Sequence, residues 1–203
     1  EHKSLHLDSS FDYETHMAVF VAEDMPAPTD PGYLDALKKL LYDVHVQMGG
    51  SVLTLFTNRR DMERLYEALE PRLSEQGLNL ACQERSSSAR RVREKFLAEK
   101  NLSLFALKSF WEGFDAAGDT LRCVVIPKLP FASPNEPLVK EREAREDRAW
   151  WRYSLPEAVI ATKQAAGRLI RSADDKGVLV LADSRLVSKR YGSSFLKSLP
   201  NKN

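Results

Sequence analysis

The stretch from Leu121 to Pro127 (LRCVVIP) has a continuous apolar centre, which is typical of a strand buried on both faces of a sheet. Five other short apolar segments are also predicted to be strands, and most of them are separated by stretches with apolar residues at helical spacing. Alternating strands and helices predict an α/β fold, a parallel sheet with helices on both faces. The other five segments are residues 17–22, 51–57, 78–83, 102–107 and 177–182.

Helix boundaries are also marked in the sequence. Asp30-Pro31 predicts the start of a helix that runs to Met48 and ends at Gly49-Gly50, because Asp, Pro and Gly favour those end positions. Asn58 is predicted to cap the next helix, and Ser86-Ser87-Ser88 to open a third. These signals predict that helices separate the first four strands.

A segment dense in charge follows the strand at 121–127. Opposite charges four residues apart predict a solvated helix over residues 138–152. The stretch Ser154-Leu155-Pro156-Glu157 has the pattern of a capping box that starts the next helix. We expect one domain over residues 1–203, with a loop-helix insertion at 128–152. The two charge pairs are Glu141 with Arg145 and Arg142 with Glu146.

The composition narrows the function classes. The 203 residues are 43% apolar, enough for one sizeable α/β domain, and the net charge is only +1, so any nucleic-acid surface must be local. No apolar run approaches the roughly 20 residues that span a bilayer, and residues 1–13 do not resemble a signal peptide. Cys82 and Cys123 are predicted to be buried free thiols, which indicates a reducing compartment, by default the cytoplasm.

The first candidate site is a helix with a glutamine and two arginines at spacings of four and three, Gln164, Arg168 and Arg171. On a helix these side chains fall within an arc of about 60°, and Gly167 precedes the first arginine. Paired guanidinium groups favour an anionic, planar array of oxygens such as a phosphoryl group. The alternative is a surface helix with two solvated arginines. The apolar face opposite would contain Val159, Ala166 and Ile170.

All three candidate motifs, this helix and two others, are expected just past the carboxyl ends of strands, where open parallel sheets bind ligands. The turn Thr57-Asn58-Arg59-Arg60 starts a helix, whose free N–H groups and dipole favour an anion such as a DNA phosphate. Its alternative is an ordinary Asn N-cap beside exposed arginines. The other candidate runs from Ser109 to Asp115 (SFWEGFD). Its glycine permits close backbone approach, Asp115 could accept from a ribose hydroxyl, and Trp111 could pack on a sugar or base.

The alternative for this third candidate is a turn whose Phe110 and Trp111 belong to the core. Asp183 is predicted to be a structural carboxylate at a strand end, and the run Arg85–Lys95 a solvated helix face. The four histidines have no metal-ligand spacing, so they are predicted to be structural or surface residues.

Taken in order and spacing, these motifs closely resemble the second motor domain of DinG-type helicases, the bacterial relatives of XPD helicases in superfamily 2. The resemblance covers nearly the whole chain, from Ser10 to Pro200. It rests on the stretches LFTNR (55–59), SFWEGFD (109–115), KLPFASP (128–134) and QAAGRLIR (164–171).

This resemblance implies a RecA-like domain that forms half of an ATP site. Arg171 would be the arginine finger on the γ-phosphate, with Arg168 and Gln164 supporting the phosphates. Further residues would lie near the nucleotide or contact DNA. The nucleotide group is Glu112, Gly113, Asp115 and Gly167, and the DNA group is Thr57, Asn58, Arg59, Ser109 and Trp111.

The chain lacks the phosphate loop, the Mg²⁺-binding Asp-Glu box and the four-cysteine iron–sulfur site of the family's first motor domain. We therefore expect a fragment of a longer protein, with ATP and Mg²⁺ bound mainly by that other domain. The expected partners are single-stranded or forked DNA and the first motor domain, with no membrane and a monomeric state. The alternatives are a non-enzymatic nucleic-acid or protein-binding module and the carboxyl half of a nucleotide-sugar glycosyltransferase.

Overall fold

Six strands of the described chain form one fully parallel sheet in the order β1-β6-β5-β2-β4-β3. The computed structural model describes residues 12–83, 88–99, 101–107, 120–170 and 174–200. The parallel α/β architecture predicted from the apolar segments is confirmed. The strands are β1 (Met17–Val21), β2 (Val52–Phe56), β3 (Leu80–Cys82), β4 (Ser103–Leu107), β5 (Cys123–Ile126) and β6 (Gly177–Leu181).

Helices connect the strands and cover both faces of the sheet. One face is covered by the helix that carries Tyr33, Leu37 and Leu41 and by the helix that follows β2. The other face is covered by the helices that carry Phe96 and Phe195. The inner strands β2, β4 and β5 are therefore buried from both sides, which explains their unbroken apolar runs. The edge strand β1 is not, since Ala18 and Phe20 are exposed, so its predicted burial is wrong. The helices are α1 (Tyr13–His16), α2 (Tyr33–Met48), α3 (Arg59–Ser74), α4 (Ala89–Ala98), α5 (Pro137–Arg145), α6 (Leu155–Ala166), α7 (Arg185–Ser188) and α8 (Gly192–Ser198), with a π-helical turn at Trp150–Ser154.

Most of the predicted helix ends are observed. Asn58 caps α3, Ser88 caps α4 by accepting from the N–H of Arg91, and Gly49 ends α2 in the left-handed conformation at φ 64°. The predicted start of α2 is wrong, because Gly32 rather than Asp30 is its N-cap. The Asp30 carboxylate instead accepts from the N–H of Ala27 at 3.0 Å, so it is not placed to cap the helix.

The predicted helix over residues 138–152 is confirmed as far as Arg145 and wrong beyond it. Helix α5 ends at Arg145, and the chain re-enters helical structure as the π-helical turn. Glu141 pairs with Arg145 as expected, but Arg142 reaches Glu157 at 2.7 Å instead of Glu146. Because the backbone is already helical at Ser154, and its side chain makes no capping hydrogen bond, the predicted capping box does not form.

Both cysteines are free, but they differ in environment. Cys123 is buried, and burial raises the pKa of its thiol to about 12. Cys82 is partly exposed on β3, at one edge of the sheet, so its predicted burial is wrong. No helix within the described ranges is long and apolar enough to cross a membrane.

Candidate functional site

Helix α6 separates the candidate motifs to opposite edges of the sheet. It connects β5 to the parallel strand β6, so it runs from the carboxyl edge back to the amino edge. Thr57 and Asn58 follow β2 at the carboxyl edge, whereas Gln164, Gly167 and Arg168 precede β6 at the amino edge. A five-residue strand spans about 17 Å. The expectation that all the motifs lie past the carboxyl ends is therefore wrong for the arginine-bearing segment.

The arginine-bearing segment does not form one continuous helical face. Helix α6 ends at Ala166, and the N–H groups of Arg168 and Leu169 donate to carbonyls three residues back, at 3.3 and 3.1 Å. Gln164 is exposed in the last helical turn, and Arg168 is half-buried in the turn that follows. The predicted helical arc of Gln164, Arg168 and Arg171 is wrong, because the helix stops between the first two of these residues.

Apolar packing accounts for this early stop. Leu169 and Ile170 are 2% and 1% exposed, so the chain leaves the helix axis to bury both side chains in the core. Leu169 packs against the start of β6 so closely that a Cβ on Gly177 would lie 2.7 Å from the Leu169 Cβ. Arg168 is thus fixed on a short turn between the helix end and a buried dipeptide.

Six predicted site residues lie outside the described residues. They are Ser109, Trp111, Glu112, Gly113, Asp115 and Arg171.

At the carboxyl edge, the start of α3 is capped from within the chain. The Oδ1 atom of Asn58 accepts from the N–H groups of Arg60 at 2.8 Å and Asp61 at 3.4 Å. The Arg59 guanidinium donates to the carbonyl of Gln83 at 2.9 Å, so it holds β3 against α3. Of the two arginines at this helix start, Arg59 and Arg60, the exposed one is therefore Arg60.

Lys128 adds a fixed positive charge beside this helix start. Its Nζ lies 2.7 Å from the Asp61 carboxylate and 4.9 Å from the centre of the Tyr33 ring. The Tyr33 hydroxyl donates to the carbonyl of Pro127 at 2.6 Å, and burial raises the pKa of that phenol. Sequence reasoning missed this lysine as a site residue, although it lies two residues after β5 and begins the quoted KLPFASP motif.

Asp183 has the structural role that the sequence predicted. It is fully buried, and its carboxylate accepts from the N–H of Leu129 at 2.8 Å and from Arg185 Nη2 at 2.6 Å. Burial lowers the pKa of Arg185, but the hydrogen bond and charge of Asp183 outweigh it and raise the pKa overall. This carboxylate therefore ties the loop after β5 to the end of β6.

The same loop enters an aromatic block, which we define as Phe131, Trp150, Tyr191 and Phe195. The Phe131 ring stacks on Trp150 with centroids 5.4 Å apart and meets Tyr191 edge-on at 5.6 Å. The Arg185 guanidinium lies over the same ring, 5.4 Å from its centre. Sequence reasoning missed this block because it assigned residues 138–152 to a solvated helix.

A groove of about 630 Å³ opens at the amino edge beside the starts of β1 and β6. It is lined by His16, Arg122 and Lys176 among others. Arg122 donates to the carbonyl of Met48 at 2.5 Å and thereby satisfies the carboxyl end of α2. The positive charge of Arg122 therefore interacts with the carboxyl end of α2. Within the described ranges, no cluster of histidine, cysteine or carboxylate side chains could hold a metal ion.

A family model described as the helicase C-terminal domain matches residues 41–202. The chain belongs to this family. It is 39% identical over 202 residues to the ATP-dependent DNA helicase YoaA of Escherichia coli (strain K12), covering 98% of this chain and 31% of that protein. It is 32% identical to the ATP-dependent helicase DinG of Mycobacterium tuberculosis (strain ATCC 25618 / H37Rv), covering 98% of this chain and 30% of that protein.

Solved structures agree on the fold. An XPD helicase superposes with a TM-score of 0.69 at 18% identity, covering 91% of this chain and 34% of that chain. The C-terminal domain of the DEAD-box protein Dbp5 superposes with a TM-score of 0.51 at 13% identity, covering 91% and 83%. The resemblance to DinG-type and XPD-like helicases is confirmed, and the glycosyltransferase alternative is set aside. The chain spans about a third of the length of its first curated relatives.

Proposed function

We propose that the chain is the second motor domain of an ATP-dependent DNA helicase that moves 5′ to 3′ on single-stranded DNA. In this proposal the amino edge supplies guanidinium groups to a triphosphate held by the first motor domain. The carboxyl edge contacts the DNA strand. Hydrolysis then requires both domains, because this chain has no phosphate loop of its own.

The observation that carries the proposal is the fixed turn at the amino edge. Gln164 and Arg168 lie at a helix end that Leu169 and Ile170 anchor in the core, so a guanidinium there has a defined position. Preorganised positive charge is what phosphoryl transfer requires, because charge develops on the equatorial oxygens of the transferred group. Arg171 follows directly on this anchored dipeptide and is assigned as the arginine finger.

The test is Arg171→Ala in the full-length protein. We expect ATP binding to remain and kcat to fall by about 10³–10⁵, the range for a lost arginine finger. Arg168→Ala should also lower kcat, by less, because it supports the phosphates from the helix side. Arg64→Ala, an exposed arginine on α3, is the matched control and should leave turnover unchanged. Near-normal turnover of Arg171→Ala would overturn the assignment.

A second experiment addresses the division of labour between domains. The purified 203-residue chain should show no ATP hydrolysis with or without DNA, because the first motor domain, which would supply the catalytic metal and the phosphate loop, is absent. DNA-stimulated turnover by this chain alone would contradict the two-domain site. If neither this chain nor the full-length protein hydrolyses ATP, the alternative of a non-enzymatic binding module gains instead.

A further inference from the structure

The π-helical turn at the carboxyl edge carries an exposed indole. Trp151 is 57% exposed, whereas its neighbour Trp150 is partly buried in the aromatic block. π-Helical turns are rare and occur frequently at functional sites. Here the turn directs two consecutive tryptophans differently, one towards the block and one to solvent.

The exposed Trp151 ring is supported by the ring of its neighbour Trp150. The Trp151 and Trp150 rings meet edge-on, with centroids 5.0 Å apart and planes at 85°. Trp150 in turn stacks on Phe131, whose loop is tied down by the buried carboxylate of Asp183. An aromatic ring on such a support loses little side-chain entropy when a flat partner binds its face.

Basic and aromatic side chains lie next to one another around the ring. Residues 148–153 (RAWWRY) contain two arginines and three aromatic residues, and the carboxylates that precede them are Glu146 and Asp147. Arg152 pairs with Glu146 at 3.1 Å, but its side chain is 66% exposed, and such surface pairs contribute little. Interleaved aromatic and basic side chains are typical of surfaces that bind single-stranded nucleic acid.

The position of the ring also agrees with such a partner. The π-helical turn precedes α6 at the carboxyl edge, the same edge that carries Arg60 and Lys128 beside the start of α3. Helix α6 packs on one face of the sheet and α3 on the other. Single-stranded DNA that crosses this edge could therefore place a phosphate near α3 and a base near the indole.

We propose that Trp151 is a stacking platform for one unpaired base of single-stranded DNA. This inference rests on the proposed function, since it names a contact within the same DNA-binding edge. In this inference the indole binds the π face of a base and does not contact a phosphate. Every base has such a face, so the contact is independent of sequence.

The experiment compares two oligonucleotides of equal length, oligo-dT and an abasic strand, binding to the full-length protein. Trp151→Ala should weaken oligo-dT binding by about tenfold, a value within the range for loss of one stacked base. Binding to the abasic strand should be unchanged, because no base is available to stack. Trp151→Phe should restore most of the oligo-dT affinity. Leu138→Ala, an exposed apolar residue on α5, is the matched control and should bind both strands normally.

The outcomes separate this inference from the proposed function. Equal losses on both strands would assign Trp151 a structural or electrostatic role and overturn the stacking contact. No loss on either strand would overturn it as well, with the helicase assignment left standing. If the unaltered protein binds neither strand, the DNA-binding edge and this contact both fail.

Discussion

The two edges of the sheet are held by different forces. At the carboxyl edge, polar side chains cross between elements, from Asp183 to the loop after β5 and from Lys128 to α3. At the amino edge, the turn that carries Arg168 is fixed by the burial of Leu169 and Ile170. A hydrogen-bonded ion pair depends on direction, and its contribution to stability is lost when one partner is removed. Apolar packing depends instead on the volume of the buried side chains. Substitutions at the two edges should therefore differ in kind as well as in size.

The largest effect on stability is expected at the carboxyl edge. Asp183→Asn keeps an oxygen that can accept from Leu129 but leaves the half-buried Arg185 without its counter-charge. Removing one partner of such a pair should cost about 3 kcal/mol of unfolding free energy, measured by urea denaturation. Glu141→Gln, which breaks an exposed pair with Arg145, should cost less than about 0.5 kcal/mol. Equal costs for both substitutions would remove the distinction drawn between buried and surface pairs.

The amino edge should respond to added volume. Gly177→Ala would place a methyl group 2.7 Å from the Leu169 Cβ, which is too close for contact and is not the mobile end of a side chain. Overpacking of this kind should cost up to about 3 kcal/mol and displace the turn of Arg168, so ATP turnover of the full-length protein should fall as well. Gly32→Ala has open space around the new methyl group and serves as control. A Gly177→Ala protein with normal stability would mean that this edge is loosely packed.

A third expected effect concerns pH at the same edge. His45, in the last turn of α2, donates from Nδ1 to the carbonyl of Leu41, and burial lowers its pKa to about 4. Between pH 6.5 and 4 the unfolded chain binds a proton that the folded chain does not, so stability falls as the pH falls. The loss between pH 7 and pH 5 should be about 2 kcal/mol. In His45→Gln that component should be absent, and an unchanged pH profile would assign it to other groups.

The smallest effect is expected for the exposed arginine at the start of α3. Arg60→Gln in the full-length protein should weaken single-stranded DNA binding uniformly across sequences. It should also reduce the slope of log affinity against log salt by about 1, as expected for one lost phosphate contact. Arg64→Gln, one turn further along the same helix, is the matched control. If Arg60→Gln and Arg64→Gln give the same slope of log affinity against log salt, the phosphate contact lies elsewhere on the carboxyl edge.

Much of the fold was predictable because local signals agree with the tertiary structure. The apolar runs predict all six strands. Asn58 and Ser88 begin helices and Gly49 ends one, as their side-chain or backbone preferences predict. The start of α2 was misplaced because Asp30 caps a different local turn. Such choices depend on which N–H group a carboxylate can reach, which a sequence pattern does not specify.

The candidate site was less predictable, since it depends on contacts between distant segments. Periodicity alone continues α6 through Arg168, whereas the helix ends at Ala166 with Gly167 as its C-cap, and Leu169 and Ile170 are buried in the core. The π-helical turn and the aromatic block likewise depend on Phe131, a residue about twenty positions upstream that stacks on Trp150. The separation of the motifs to two edges follows from the direction of one connecting helix.

Helix α6 has a mechanical consequence. Its 12 residues give a rod of about 18 Å, with Trp151 just before one end and Arg168 just after the other. A hydrogen-bonded helix of three turns resists compression along its axis. In the proposed motor domain, a movement of the arginine turn along this axis would therefore be transmitted through α6 to the segment that carries the indole.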